Sequence, residues 1–356
     1  MIDYGLAPSI DEIEITVFGP GFGEAIAVHV GDGLWFLVDS CLEPDSKLPA
    51  SHHYLQRLGV GASQIKAIVA SHWHDDHVRG ISKLADLYPD ADFLMSSALN
   101  NAEAMAFLGA HNNIAAPGLT RGANELYEVL KKREVVFNVN QRSSILELSA
   151  GGRNIRVSAL SPVPAAFAQS IAHFAQYLPN KNGGSPVNHA PELKPNLEAI
   201  AIHVDFDGDA ALLGSDLEEH HSCGWSAVVS DAWCTTRRRG SAYKVAHHGS
   251  NTGEQAGIWS ALLVKAPTIS MTPFNLGSVK LPTDDDKVRI RGRSEDAFIS
   301  SGASKKPQMD AAILRRLGDL CNKLTSVNAG FGAVRLRKHI RAKSWNAELF
   351  GDACKL

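Results

Sequence analysis

The stretch His72-Trp73-His74-Asp75-Asp76-His77 follows directly on the apolar run Ile65 to Ala70 and Ser71. It packs three imidazoles and three carboxyl-bearing or aromatic neighbours into one turn, with the carboxylates at Asp75 and Asp76. Imidazole and carboxylate are the ligands that zinc and similar divalent ions prefer. A loop leaving the end of a buried strand can turn alternate side chains into one cavity. A lone histidine is more often a solvated or core residue, but this density at a strand end has no such explanation.

On the N-terminal side, the apolar runs Ile13 to Phe18 and Ala25 to Val30 are separated by Gly19-Pro20-Gly21-Phe22-Gly23, and Leu34 to Val38 follows Gly31-Asp32-Gly33. Short β-rich runs bounded by glycine turns predict antiparallel strands. The glycine-rich segment lacks the Lys-Ser/Thr of a phosphate-binding loop and does not precede a helix, so it reads as a turn. Asp39 falls at the C-terminal end of the third strand. Further along, helices are expected over about 46–58, 81–87 and 124–132, and strands at 65–70, 92–95, 134–138, 145–148 and 155–160. Residues 161–195 are rich in Pro, Asn, Gly and Ala and read as a long excursion with one helix near 165–177. Strands resume at 199–204, 210–213, 242–246 and 268–272. The polar stretch 280–306 reads as an exposed loop, 309–324 as a helix, and 333–338 and 344–350 as strands. This order predicts one α/β domain over 1–356: two packed mixed sheets with outer helices, a core of about 13–300, and the C-terminal helix and strands of 309–350 packed on it.

A hydrophobic share of 44% and a charged share of 21% are those of a globular chain, which argues against disorder. The net charge of -3 gives no general attraction to polyanions, leaving Arg237, Arg238 and Arg239 as a local basic patch. Five scattered cysteines without a CxxC spacing point to a reducing compartment. The acidic N-terminus lacks the pattern of a secretory signal, and no apolar run approaches the roughly 20 residues of a membrane span. The expectation is a soluble, cytoplasmic protein with no membrane partner.

The string His72 to His77 resembles the HxHxDH motif of the metallo-β-lactamase superfamily. The resemblance extends to Asp39 in LVDSC, Asp216 in ALLGSD and His247 in YKVAHHGS, which come in the family's order, each after a predicted strand. It implies the family's αββα sandwich and a binuclear centre of two divalent ions, zinc or manganese. His72 and His74 would bind the first ion. Asp76, His77 and His247 would bind the second, with Asp216 bridging both and Asp39 supporting the metal loop from behind. A shared carboxylate offsets the repulsion of two cations ~3.5–4 Å apart. GPGFGEAI, GSD and HHGSNTG further resemble the ComEC-like branch, named for a DNA-uptake membrane protein whose channel is absent from this sequence.

One departure concerns the third histidine that the family supplies to the first ion. The matching position is Asn196 in PNLEAIAI, with His189 seven residues earlier as an alternative ligand. An amide oxygen is the weaker donor, so a looser first site is expected. His248 is expected to diverge from His247 and either to donate to a substrate oxyanion or to support the site from behind. Ser250, Asn251 and Thr252 would add donors for an anionic group. The resemblance implies a metal-dependent hydrolase whose nucleophile is a metal-bound hydroxide oriented by Asp76 or Asp216. Phosphodiesters of nucleotides or nucleic acid are the favoured substrate class. A small ester, lactone or amide in a pocket lined by Trp73, Phe22 and Trp225 is the alternative. A metal-stabilised interaction protein with a protein partner is the third reading.

Overall fold

The computed structural model describes residues 2–20, 22–99, 121–150, 152–176, 195–302 and 330–356. Its strands are, in chain order, β1 (Glu12–Pro20), β2 (Ala25–Gly31), β3 (Leu34–Val38), β4 (Ile65–Ala70), β5 (Asp92–Ser96), β6 (Phe137–Val139), β7 (Ser144–Ala150), β8 (Arg153–Ala159) and β9 (Ile202–Asp205). They continue with β10 (Ala210–Leu213), β11 (Gly240–Lys244), β12 (Leu263–Met271), β13 (Phe274–Leu276), β14 (Val279–Leu281), β15 (Ala297–Ile299), β16 (Phe331–His339), β17 (Asn346–Gly351) and β18 (Cys354–Lys355). Among the described residues these build two eight-stranded mixed sheets, ordered β17-β16-β1-β2-β3-β4-β5-β6 and β18-β15-β12-β11-β10-β9-β8-β7, and a separate β13-β14 hairpin.

Period-two alternation explains how the layers stack. Along β1, Ile13, Ile15 and Val17 enter the same buried cluster as Val157, Val204 and Ala211 of the second sheet, while Phe18 faces the opposite way. The opposite face of the first sheet is covered by Tyr54 and Leu55 of helix Ala50–Arg57, by Ile81 and Leu84 of helix Ile81–Leu87, and by Leu126 and Val129 of helix Arg121–Lys132. The outer face of the second sheet is covered by Ala166 of helix Pro164–Gln176, Trp225 and Val228 of helix Trp225–Ser230, and Ile290 of helix Asp284–Arg291. The architecture is therefore a helix–sheet–sheet–helix sandwich, as expected. No helix among the described residues is long and apolar enough to cross a membrane.

The structure differs from expectation at two places. The stretch 280–306, expected to be a loop, holds β14, helix Asp284–Arg291 and β15 as far as it is described. Helix Asp284–Arg291 buries only Asp286 and Ile290, so it lacks the apolar periodicity that reveals a helix. It is held instead by a capping box, in which the Asp286 amide donates to Thr283 Oγ1 (3.2 Å) and the Thr283 amide donates to Asp286 Oδ2 (2.9 Å). The second place is the C-terminal region. β16 does not pack on a finished core but lies inside the first sheet, paired with β1 from Glu12↔His339 to Pro20↔Phe331. The helix expected at 309–324 lies outside the described residues.

His29 on β2 provides a test of this packing. It is fully buried against Trp35 and accepts a hydrogen bond from the Gly33 amide at Nε2 (3.0 Å). Burial lowers its pKa to about 4. Between that value and the ordinary 6.5 the unfolded chain binds a proton that the fold refuses, so stability is full above 6.5 and falls as pH drops through this window. The loss by pH 5 is expected to be about 2 kcal/mol. Urea midpoints at pH 7.5 and 5.0 should therefore separate more for the wild type than for His29→Gln; an equal separation would remove His29 as the cause.

Candidate metal centre

The site assembles at strand ends from both sheets. Asp39 follows β3, residues 71–77 follow β4, Asp216 follows β10, and His247 and His248 follow β11. In these turns the backbone is left-handed without glycine at Asp39 (φ 60°), His247 (46°), His248 (51°) and Ser215 (47°), which precedes Asp216. Such residues cost about 1–3 kcal/mol each and persist where the surroundings over-determine them. Gly214 answers a different need. A Cβ there would lie 2.8 Å from the Ala246 nitrogen, so only glycine lets the ends of β10 and β11 approach this closely.

The metal loop is tied down on several sides. The Ser40 amide donates to His77 O (2.6 Å), the Ile200 amide to Ser71 O (3.1 Å), and the Glu24 amide to Asp76 O (2.8 Å). Asp39 is fully buried and spends both oxygens on the loop. Oδ1 accepts from the Ser71 amide (2.7 Å), and Oδ2 from Ser71 Oγ (2.7 Å) and His77 Nδ1 (2.8 Å). These bonds fix a hydrogen on Nδ1 of two rings. His77 donates from Nδ1, leaving Nε2 to face the cavity. Because Ser71 gives its only hydroxyl proton to Asp39, it accepts from His72 Nδ1 (3.0 Å), and His72 Nε2 is left bare.

Asp76, His77, Asp216 and His248 bring ligand atoms within 4.8 Å of one another, all buried. His248 Nε2 lies 3.1 Å from Asp76 Oδ2 and 3.2 Å from Asp216 Oδ2; His77 Nε2 lies 3.3 Å from Asp216 Oδ1. His72 and His74 stand beside this quartet, with His72 Nε2 and His74 Nδ1 3.1 Å apart. Asp75, the other carboxylate of the motif, turns away: it accepts from the Gly122 amide and lines an outer cleft of about 320 Å³ with Leu42, Arg79 and Glu125.

The two adjacent histidines stand the other way round from the sequence expectation. His248, not His247, faces Asp76 and Asp216, and at 1% exposure it has both nitrogens engaged within the protein, so it is not open to a substrate. His247 turns outward, with Nδ1 2.7 Å from Thr252 Oγ1 and Nε2 3.3 Å from Asn196 Nδ2. Alternation would send neighbours to opposite sides but does not say which goes inward, and two consecutive left-handed residues decide it here. Asn196 donates to Glu218 Oε1 (2.8 Å) and leaves its own buried Oδ1 without a partner. His189 lies outside the described residues.

Electrostatically the site divides in two. Burial, then the neighbouring His77 and His74, hold His72 well below the usual imidazole range, and burial also lowers His74. Burial works against the charged forms of His77 and His248 too, but at His77 the carboxylates of Asp216, Asp76 and Asp39 outweigh it and raise the ring well above its usual value. At His248 the carboxylates of Asp216 and Asp76 raise it to about 9. Burial pushes Asp76 and Asp216 up, yet these imidazoles win and lower both, Asp216 well below the usual carboxylate value. Metal-free, the quartet pairs two anions with two protonated rings, whose protons a divalent ion would displace. The donor set fits such an ion: His77 Nε2 and Asp216 Oδ1 are buried and face each other at 3.3 Å, with this ion-pair contact in place of an ordinary hydrogen-bond partner. Asp39 and Glu24, which also lie near His77, have their oxygens committed within the protein.

Residues 18–103 match the family model of the metallo-β-lactamase superfamily. The chain has the metallo-β-lactamase fold. The matched segment runs from the end of β1 through β5 and takes in the whole His72 to His77 loop. No curated protein matches the sequence. Similar solved structures include a CmlA β-hydroxylase mutant (14% identity, 67% of this chain and 36% of that one, TM-score 0.34). They also include a metallo-β-lactamase HARLDQ-motif mutant from Cronobacter sakazakii (17%, 70% and 89%, 0.36) and the fold protein YhfI from Bacillus subtilis (12%, 81% and 95%, 0.37). The chain thus spans about a third of the length of the first of these.

Proposed function

We propose that the protein is a metal-dependent hydrolase with a two-ion centre, acting on phosphodiester bonds of a nucleotide or nucleic acid. The observation that carries the reading is the buried Asp76, His77, Asp216 and His248 quartet, whose ligand atoms converge within 4.8 Å of one another. In this reading Asp76, His77 and His248 hold one ion, His72 and His74 hold the other, and Asp216 lies between them. Bound there, divalent ions would polarise the scissile oxygen as Lewis acids and supply a nucleophilic water at neutral pH. Asp76 orients the attacking group. His247, partly exposed and held by Thr252, takes the substrate-facing role that His248 is too buried to fill. Carboxylate and imidazole together suit zinc and manganese alike.

The motif resemblance to the ComEC-like branch favours phosphodiesters, and the Ser250-Asn251-Thr252 turn next to His247 supplies hydroxyl and amide groups suited to an anion. The ester reading loses two of its three pocket residues, because Trp73 and Trp225 are buried in the cores under the helices, while Phe22 lies against Phe274. The basic patch is engaged locally, with Arg237 stacked 3.6 Å over Trp233 and Arg238 3.5 Å from Asp205. Metal analysis of the purified protein, with turnover assays on bis(p-nitrophenyl) phosphate, linear and cyclic nucleotides, single-stranded DNA and lactones, tests the proposal. Phosphodiester cleavage without lactone cleavage is the expected result. Lactone cleavage alone moves the assignment to esters, and a metal-loaded but inert protein moves it to an interaction role.

A further inference from the structure

Behind His248 lies a buried ion pair. Lys244 and Glu24 are both fully buried, with Nζ 2.5 Å from Oε1. Lys244 also donates to Ser215 O (3.2 Å) and stands 4.0 Å from Asp216 Oδ1. Taking two charges out of water costs several kcal/mol per ion, so the pair is a poor device for stability alone. Its geometry leads to the metal centre instead. The Glu24 amide holds Asp76 O, and Glu24 Oε2 accepts from Thr272 Oγ1 (2.5 Å), which in turn lies 2.9 Å from His248 Nδ1.

The direction of these bonds follows from counting protons. A carboxylate paired with an ammonium offers only lone pairs, so Thr272 commits its single hydroxyl proton to Glu24. It can then meet His248 only as an acceptor, which requires a hydrogen on Nδ1 and makes Nε2, facing Asp76 and Asp216, the nitrogen that gives up its proton to an ion. Asp39 and Ser71 impose the same order on His72. We infer that Glu24, Thr272 and Lys244 form a positioning relay that fixes His248 as an Nε2 ligand and so sets the affinity of the ion held by Asp76, His77 and His248. The inference rests on the two-ion reading above, and none of the three residues is assigned contact with substrate.

The test is calorimetric titration of metal-stripped protein with zinc, together with long-range ¹H–¹⁵N spectra of the zinc-loaded protein that report which ring nitrogen of His248 carries hydrogen. Thr272→Val keeps the shape and loses the acceptor; it is expected to weaken one of two binding steps by ~10–100-fold and to erase the Nδ1–H signature. Thr272→Ser should restore both. Glu24→Gln, isosteric and able to reverse the hydroxyl, should weaken the same step, and it keeps the test open if Thr272→Val does not fold. Two wild-type steps with unchanged binding in the variants, or hydrogen on Nε2 of His248, would overturn the relay alone. A wild type that takes up no zinc would overturn the two-ion reading and the relay with it.

Discussion

Alanine in place of His248 is expected to remove one of the two metal ions and at least about a hundredfold of hydrolytic activity, more than the ~10–100-fold usual for a residue that only supports a ligand. Alanine in place of His247 is expected to leave both ions bound and to act on substrate binding, since that ring faces Asn196, Thr252 and the exterior. Metal content by mass spectrometry and kcat/KM for the two variants form the comparison. If His247→Ala lost an ion while His248→Ala kept both, the order expected from sequence would stand and the geometry around Asp216 would be wrong. Both rings follow the same strand, so a general disturbance of the loop should affect the two variants alike.

Asp216→Asn is expected to have the largest effect, because in the proposed two-ion reading this carboxylate lies between the ions. Its Oδ2 lies 3.2 Å from His248 and its Oδ1 3.3 Å from His77. The amide keeps the shape but gives up the anion that lets two dications sit together. A loss of several kcal/mol of charge stabilisation corresponds to ~10²–10³-fold or more in rate. Stoichiometry should fall from two ions to one or none, with the circular dichroism spectrum unchanged. Full occupancy in Asp216→Asn would place the bridging role elsewhere.

Much of the fold was legible because it rests on local pattern. The runs Leu34 to Val38, Ile65 to Ala70, Ile81 to Leu87 and Ala210 to Leu213 coincide with their elements, since apolar periodicity and glycine punctuation act within a few residues. The density of ligands at 72–77 was legible for the same reason. What was not legible depends on contacts between distant segments. The capping box at Thr283 leaves a signature, Thr-x-x-Asp, that can be found once apolar periodicity is not required of every helix. Lys244, a charge within the apolar run Ala242 to Ala246, also signals a buried partner, but nothing near it points to Glu24, more than two hundred residues away. The choice between His247 and His248 turned on two positive φ angles that no side chain at those positions announces.

The placement of β16 between β1 and β17 bears on how the chain comes to be folded at all. During synthesis β1 finds β2 at once, while its other edge waits for a partner more than three hundred residues later. Contacts of such separation pay the closure of a very long loop before they are rewarded, which slows folding. Through that interval the open edge of β1 is a template for pairing with another chain. A nascent or truncated chain lacking residues 331–339 should therefore expose an aggregation-prone edge even though all six residues of the His72 to His77 loop have already been made.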